Sequence, residues 1–360
     1  MKVLSIFGTR PEMIKMWATL KKLDEHNFDH IMVHTGQNFT PELKDFFFND
    51  LKLRKPDYDL GIDVSSYSNE VADVIKKTDK VMEDVKPDAL LILGDTYSGL
   101  SIMPASYRGI KTFHMEAGLR AYDKRMPEQR NRILIDHMSD ILLPYKKYHR
   151  ENLIRENIHP SKIFVTGNTT FEAMDSFQDA IDSSAILKEL NLEKKEYILM
   201  SAHRSENVDD PKILEQILLT AEKISKVLKY KVVFPMHPRT ISKTKDNSLL
   251  KDTIVIKPLG FYDWNNLLKN SACVLSDSGT AAEEGLYYKV PNISLRMATE
   301  RQETIESGGN IVSGLESANI IESIKLVIDQ KWTANYDLEE NHSPSSVVVN
   351  TLRTQITNHF

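Results

Sequence analysis

The sequence has one cysteine, no long apolar run and no excess of positive charge. Its single thiol, Cys273, cannot form an internal disulfide. The setting of that thiol, Ser271-Ala-Cys-Val-Leu-Ser276, is that of a core residue. So little cysteine points to a reducing compartment. No stretch of about 18 apolar residues occurs, which removes the class of transmembrane helices. Met1-Lys2 leads straight into Val3–Phe7, too short an apolar run for a signal peptide. The expectation is a cytoplasmic protein with no membrane partner. Lys and Arg number 46 against 51 Asp and Glu, a formal net charge of −5. No overall positive field therefore draws the chain to nucleic acid. An anionic ligand must be held by a local basic patch or a helix N-terminus. The missing motifs narrow the field further. A Gly-x-Gly-x-x-Gly after the first strand and a Walker A sequence are both absent, so neither a hydride-transferring dinucleotide enzyme nor a P-loop nucleotidase is supported. No paired cysteines occur, and no His-x-x-x-His includes His203 or His237, so no metal is expected.

What is present reads as α/β. The chain has 360 residues, 41% of them hydrophobic and 27% charged, enough for about two domains with buried cores. Compact apolar runs at Val3–Phe7, Ile31–His34, Ala89–Leu93, Thr112–Met115, Ile141–Leu143 and Ile163–Thr166 have the form of strands buried on both faces of a parallel sheet. Helical spacing follows the first run at Met13, Ile14, Trp17, Leu20 and Leu23, and the second at Leu43–Phe48. A second set of runs comprises Ile198–Ser201, Val232–Met236, Ile254–Ile256, Cys273–Ser276 and Ile293–Leu295, with helical stretches at Ile213–Leu228 and Thr280–Leu286. This order predicts two Rossmann-like, doubly wound parallel-sheet domains. Residues 1–170 form the first, 171–344 the second, and a C-terminal helix at 345–360 packs back on the first. Ligands bind at the C-terminal edges of such strands, so a site is expected in the cleft between the two domains.

The residues at those edges carry the chemistry. The first strand runs into Gly8-Thr-Arg-Pro-Glu12, which places Arg10 at a helix N-terminus with Lys15 nearby. Arg donates two parallel hydrogen bonds and so suits phosphate. Later strands end in Gly94-Asp-Thr96 and Glu116-Ala-Gly118, and Arg125-Met-Pro-Glu-Gln-Arg-Asn-Arg132 follows. Asp95, Glu116 and Glu128 are candidates for acid and base, because convergent carboxylates can divide those roles. An Asp after a strand is commonly a turn residue or helix cap, but three carboxylates at neighbouring ends favour function. In the second half, strands end in His203-Arg-Ser-Glu-Asn207 and His237-Pro-Arg239. Ser276-Asp-Ser-Gly-Thr-Ala-Ala-Glu-Glu-Gly285 opens a helix, where Ser278, Gly279 and Thr280 can present N–H groups and hydroxyls to a diphosphate. Glu284 is placed to take a ribose hydroxyl pair.

Taken in order, these pieces resemble the non-hydrolysing UDP-N-acetylglucosamine 2-epimerase family. The match spans nearly the whole chain, from Gly8–Glu12 with Lys15, through His34–Gln37, Gly94–Thr96, His114–Arg120, Pro127-Glu128 with Asn131-Arg132, and Gly167-Asn168. It continues through His203–Asn207 and Asp277–Gly279 with Glu283-Glu284 to Thr299–Arg301. The resemblance implies the GT-B fold and a UDP-sugar substrate. It also implies interconversion of UDP-N-acetylglucosamine and UDP-N-acetylmannosamine without a cofactor, and a homodimer. Catalysis falls on Asp95, Glu116, Glu128 and His203. Binding falls on Arg10, Lys15, Arg132, Arg204, His237, Phe261 (beside the uracil), Ser278, Gly279, Thr280, Glu284 and Arg301.

The sequence departs from the family pattern at several points. Gln129 stands where the pattern has a second Glu, and the stretch from Arg120 to Pro127 is short. Thr280 adds bulk beside the expected phosphates, and Gln37-Asn38-Phe39 replaces a motif tied to an activating second sugar nucleotide. His34–Asn38, Phe46–Leu51 and Arg54–Asp57 are more similar to a subgroup that builds surface polysaccharides. Some members of that subgroup invert modified sugars, such as UDP-2-acetamido-2,6-dideoxy-L-talose. A GT-B glycosyltransferase and a non-catalytic sugar-nucleotide binder are the rival readings.

Overall fold

The computed structural model describes residues 1–37, 48–123, 126–244, 247–330 and 343–357. The expectations at Asn38, Phe39, residues 43–47 and Arg125 lie outside them. The chain divides into two compact units, Met1–Ser176 with Leu338–Phe360, and Phe177–Asp337.

The first unit is built on a six-stranded sheet: β1 (Lys2–Phe7), β2 (Asp29–His34), β3 (Tyr58–Asp59), β4 (Ala89–Leu93), β5 (Lys111–Met115) and β6 (Ile141–Leu143). All neighbours pair in parallel, in the order β3-β2-β1-β4-β5-β6. The second unit repeats this plan with β7 (Tyr197–Ser201), β8 (Lys231–Pro235), β9 (Thr253–Ile256), β10 (Cys273–Ser276), β11 (Asn292–Ser294) and β12 (Asn310–Val312), in the order β12-β11-β10-β7-β8-β9. Helices of eight residues or more are α1 (Arg10–Glu25), α2 (Tyr67–Val85), α3 (Pro127–Met138), α4 (Lys147–Arg155), α5 (Thr169–Ser176), α6 (Pro211–Leu228), α7 (Phe261–Asn270), α8 (Gly279–Tyr288), α9 (Ser317–Asp329) and α10 (Pro344–Thr357). None of the described helices is long and apolar enough to cross a membrane.

The strand runs are apolar because both faces of each sheet are covered. In the second unit Ile198, Met200, Val232, Phe234, Cys273 and Leu275 enter one core. The alternate residues Tyr197, Leu199, Val233 and Val274 enter another, as the two-residue period of a strand requires. Cys273 is fully buried, and burial pushes its thiol up to about 12. The strand expected at Ile163–Thr166 is only a bridge, Leu142 to Ile163. Phe164 N–H donates to the Leu142 carbonyl and Thr166 N–H to the Pro144 carbonyl. Pro144 has no N–H to return, so the ladder stops there. Sequence reading missed β3 and β12, strands of two and three residues that begin at Tyr58 and Asn310.

In each sheet the chain winds outward one way, returns to the centre and winds the other way. The reversal falls between β1 and β4, and again between β7 and β10. It opens a crevice at the C-terminal ends of those strands. In the first unit α10 packs against α1 and α5. Glu172 of α5 accepts hydrogen bonds from Ser345 N (2.8 Å) and Ser345 Oγ (2.6 Å), capping the start of α10.

One buried carboxylate has no ion pair among the described residues. Glu70, on the first turn of α2, is buried, and its Oε1 has no hydrogen-bond partner among them. Burial pushes its carboxyl up from 4.5 to about 7. Between those values the folded chain binds the proton more tightly than the unfolded chain. Glu70 therefore removes stability as pH rises through that window, and the loss is complete above it. Glu70→Gln is expected to stabilise the protein by about 1–2 kcal/mol at a pH of about 8, after discounting for partial solvent access, and to change little near pH 4. Thermal melts at both pH values check this; an unchanged melting temperature at the higher pH would contradict it.

Candidate functional site

In the first unit the two crevice strands and their neighbour β5 bring four charged side chains together. Glu116 follows β5 with φ +61°. That left-handed conformation costs a non-glycine residue about 1–3 kcal/mol, and such residues gather at working sites. Its carboxylate is buried between two cations. Lys15 Nζ, from α1, donates to Oε2 at 2.5 Å, and Arg132 Nη2, from α3, donates to Oε1 at 3.0 Å. Arg132 Nη2 also donates to Asp95 Oδ2, and Arg132 Nη1 donates to the Glu116 carbonyl at 2.6 Å. One guanidinium therefore holds both strand-end carboxylates. Asn131 Nδ2 donates to the Asp95 carbonyl at 3.0 Å. Lys15 and Arg132, expected as ligand-binding residues, meet the carboxylates directly. Asp95 keeps part of its side chain in solvent.

Glu128 lies one helical turn before Arg132, which puts it on the same face of α3. Its charge reaches Tyr97, the residue after Thr96. Burial raises the Tyr97 phenol, and Glu70, Tyr67 and Glu128 raise it further. Tyr97 and Tyr67 meet edge to face at 5.6 Å between centroids. Gln129 is buried, and its Oε1 accepts from Ala121 N at 2.7 Å.

Two residues support this group in roles that the sequence did not reveal. Glu12 is buried in the first turn of α1. Its Oε2 accepts from Gly8 N (3.0 Å), Thr9 N (2.8 Å) and Thr9 Oγ1 (2.8 Å), and its Oε1 from Thr96 Oγ1 (2.8 Å). Burial pushes this carboxyl up to about 7 against those hydrogen bonds. Glu12 thus ties the β1 end to the β4 end and takes amides that an anion beside Arg10 would otherwise use. Arg10 itself opens α1 and is half-buried. Asp136 is the second support. Its Oδ1 faces His114 Nδ1 at 2.8 Å, and its Oδ2 accepts from Gly118 N at 3.1 Å and Arg120 Nη1 at 2.7 Å. Burial pushes Asp136 up, yet His114 and Arg120 hold it below the usual carboxylate range. His114 Nε2 donates to the Gly94 carbonyl at 2.7 Å, so the Asp95 and Glu116 loops share one anchor. Gly118 (φ +79°) must be glycine, because a Cβ there would lie 2.4 Å from the His149 carbonyl oxygen.

In the second unit the crevice ends of β7 and β10 meet at Asp277, which is fully buried. Its Oδ2 accepts from His203 N (2.9 Å), Arg204 N (2.9 Å) and Asn207 Nδ2 (3.0 Å). Its Oδ1 lies 3.3 Å from His203 Nδ1. His203 Nδ1 thus lies near the Asp277 carboxylate without a hydrogen bond to it, on a part-exposed side chain. The His237 ring lies 5.7 Å from that of His203, and His237 Nδ1 accepts from Arg239 N as a helix cap.

Ser278 precedes α8 as its N-cap residue, with no side-chain hydrogen bond of its own to that turn. Ser278, Gly279 and Thr280 are half-buried. Glu300, Arg296 and Arg301 surround Gly279, and each would approach a Cβ added there. Glu284 is buried and accepts from Trp264 Nε1 at 2.7 Å. Phe261 is fully buried, edge to face with Phe177, while the adjacent Tyr262 is half-buried. The described residues contain no cluster of side chains able to hold a metal ion.

Both crevices thus carry polar and charged side chains at their strand ends. Residues 21–344 match the family model described as UDP-N-acetylglucosamine 2-epimerase. The UDP-N-acetylglucosamine 2-epimerase of Methanococcus maripaludis is 34% identical, covering 96% of this chain and 97% of its own. The UDP-2,3-diacetamido-2,3-dideoxy-D-glucuronate 2-epimerase of Pseudomonas aeruginosa is 33% identical, covering 90% and 92%. The crystal structure of Methanocaldococcus jannaschii UDP-GlcNAc 2-epimerase in complex with UDP-GlcNAc and UDP superposes with a TM-score of 0.93 at 33% identity, covering 98% of this chain and 100% of that one. With a family match over most of its length and relatives of this similarity along nearly all of it, the chain belongs to the UDP-N-acetylglucosamine 2-epimerase family.

Proposed function

We propose that this chain is an isomerase that interconverts UDP-N-acetylglucosamine and UDP-N-acetylmannosamine by inverting C2. The observation that carries the reading is the pair Asp95 and Glu116 held on one guanidinium, with Glu116 in a left-handed backbone. The C2 proton is not next to a carbonyl, so it cannot be removed directly. Cleavage of the C1–O bond sends its electron pair away with UDP and places positive charge at C1, which acidifies C2–H. A base then takes that proton, giving 2-acetamidoglucal and UDP. Protonation of C2 from the opposite face and return of the UDP oxygen to C1 give the epimer. No electrons are gained or lost, and no cofactor is needed.

Such a path calls for proton donors and acceptors at C2 and cations with N–H groups at the diphosphate. Asp95, Glu116, Glu128 and His203 serve the first need. Lys15 and Arg132 neutralise the Asp95–Glu116 pair and hold its geometry. Arg10, Arg204, Arg301 and the Ser278–Thr280 turn serve the second. His237 and Phe261 bound the nucleotide, and Glu284 takes the ribose.

Incubation with UDP-N-acetylglucosamine alone in D2O, followed by proton NMR, tests the reading. Deuterium is expected at C2 of both epimers, with no acceptor added and UDP retained. Absence of exchange with this substrate and with 3- and 6-modified UDP-HexNAcs would sink it, and a glycosyltransferase would behave so. Release of UDP at every turnover would mark a hydrolysing enzyme instead. Glu116→Gln preserves shape and is expected to lower turnover by at least about 10²-fold, the scale of lost acid–base catalysis, with UDP affinity nearly intact. Steady-state rates and UDP titration check this; unchanged turnover would remove Glu116 from the chemistry.

A further inference from the structure

The N-terminus of α8 already has a carboxylate over it. Glu300 is buried, and its Oε1 lies 2.9 Å from where a Cβ on Gly279 would stand. Arg296 clamps it, Nη2 donating to Oε2 at 2.7 Å and Nη1 to Oε1 at 3.4 Å. Arg301 Nε and Arg296 Nη1 lie 3.5 Å and 3.8 Å from the same Cβ position. Burial pushes the Glu300 carboxyl up, yet Arg296, Arg204 and Arg301 together hold it far below the usual carboxylate range. An anion held by arginines at a helix N-terminus is what a diphosphate would be there. The backbone at Gly279 can approach such an anion closely because it carries no side chain.

We propose that Glu300 is a built-in counter-anion of the diphosphate site, which orients Arg296 before UDP arrives and weakens UDP binding by like-charge repulsion. This rests on the reading of the Ser278–Thr280 turn as the diphosphate site. The reaction gives the device a purpose. UDP leaves C1 and must return to it, so a site that bound free UDP too tightly would favour the separated glycal and UDP over both epimers. A fixed negative charge beside the phosphates lowers the affinity for the more highly charged free UDP more than that for the sugar ester. Arg296 enters the site by the same argument, as a positioning residue that acts through Glu300.

The test is UDP titration by calorimetry of the wild-type chain and Glu300→Gln, each at low and high salt. Glu300→Gln keeps the side-chain shape and its capacity to accept from Arg296. It is expected to bind UDP about tenfold more tightly at low salt, and the gain should shrink as salt screens the charges. A residue that only scaffolds Arg296 would give the opposite sign, so equal or weaker binding by the variant overturns the proposal. If the wild-type chain does not bind UDP, the reading of the diphosphate site falls and the proposal with it. If it binds while Glu300→Gln gains nothing, only the role of Glu300 falls. Removing one partner of a buried ion pair can impair folding. Should the variant melt early, saturating UDP is expected to restore its melting temperature toward wild type, because the diphosphate replaces the missing charge. Failure of UDP to do so overturns the proposal as well.

Discussion

A single guanidinium sets the geometry of the first unit's crevice. Arg132 donates to Asp95, to the carboxylate of Glu116 and to the carbonyl of Glu116. Two carboxylates this close repel, and burial makes the repulsion worse. Arg132 and Lys15 balance the two negative charges with two positive ones, so the group can be buried without a net charge. The left-handed backbone at Glu116 is the local cost. It is held by contacts on both sides, the Arg132 bond to its carbonyl and its own N–H to the Leu143 carbonyl. Glu12 and Asp136 then fix the flanking loops by hydrogen bonds from backbone amides and neighbouring side chains. The loops that follow β4 and β5 are thereby nearly as constrained as the strands that deliver them.

The second unit uses the same topology for the opposite charge. Asp277 occupies the switch point, and its Oδ2 accepts from the amides of the His203–Arg204 turn. Arg204 donates from Nε to the Asp277 carbonyl and lies close enough to lower Glu300. A buried network behind Arg301 adds rigidity. Asn310 accepts from Asn292 and Ser294 and donates to Thr304 Oγ1, which donates to the Arg301 carbonyl. These bonds tie the Arg301 carbonyl to β11 and β12, while Asn292 Oδ1 is buried with no hydrogen-bond partner among the described residues.

Much of this plan was legible in the sequence, and the residues show why. Val3–Phe7 and Ala89–Leu93 announce buried parallel strands because nothing polar interrupts them except Ser5, whose hydroxyl meets His30 inside the unit. The strand ends announce Asp95, Glu116 and His203, since polar residues directly after such runs fall at the sheet edge. Glu12, Asp136, Asp277 and Glu300 were not legible as supports. Glu12 meets Thr96 across 84 positions, and Asp277 meets His203 across 74. Pattern and period say nothing about partners so distant. Ile163–Thr166 misled because its own apolar content was right while the decisive residue, Pro144, sits on the neighbouring segment. Asn310–Val312 was missed because its first residue is polar and its ladder is only three residues long.

Gln129 shows how a departure from the family pattern can be absorbed. A carboxylate there would place another negative charge on the turn that carries Glu128 and Arg132. In this chain the position is buried and its oxygen accepts the Ala121 amide. An amide oxygen accepts that bond as well as a carboxylate would, and it adds no charge. The two-against-two balance of Lys15 and Arg132 with Asp95 and Glu116 is therefore undisturbed by the substitution. The loop leading from Glu116 through Arg120 stays pinned at both ends, by Asp136 at Gly118 and by Gln129 at Ala121. A position that reads in sequence as a missing acid is, in the fold, an intact hydrogen-bond acceptor.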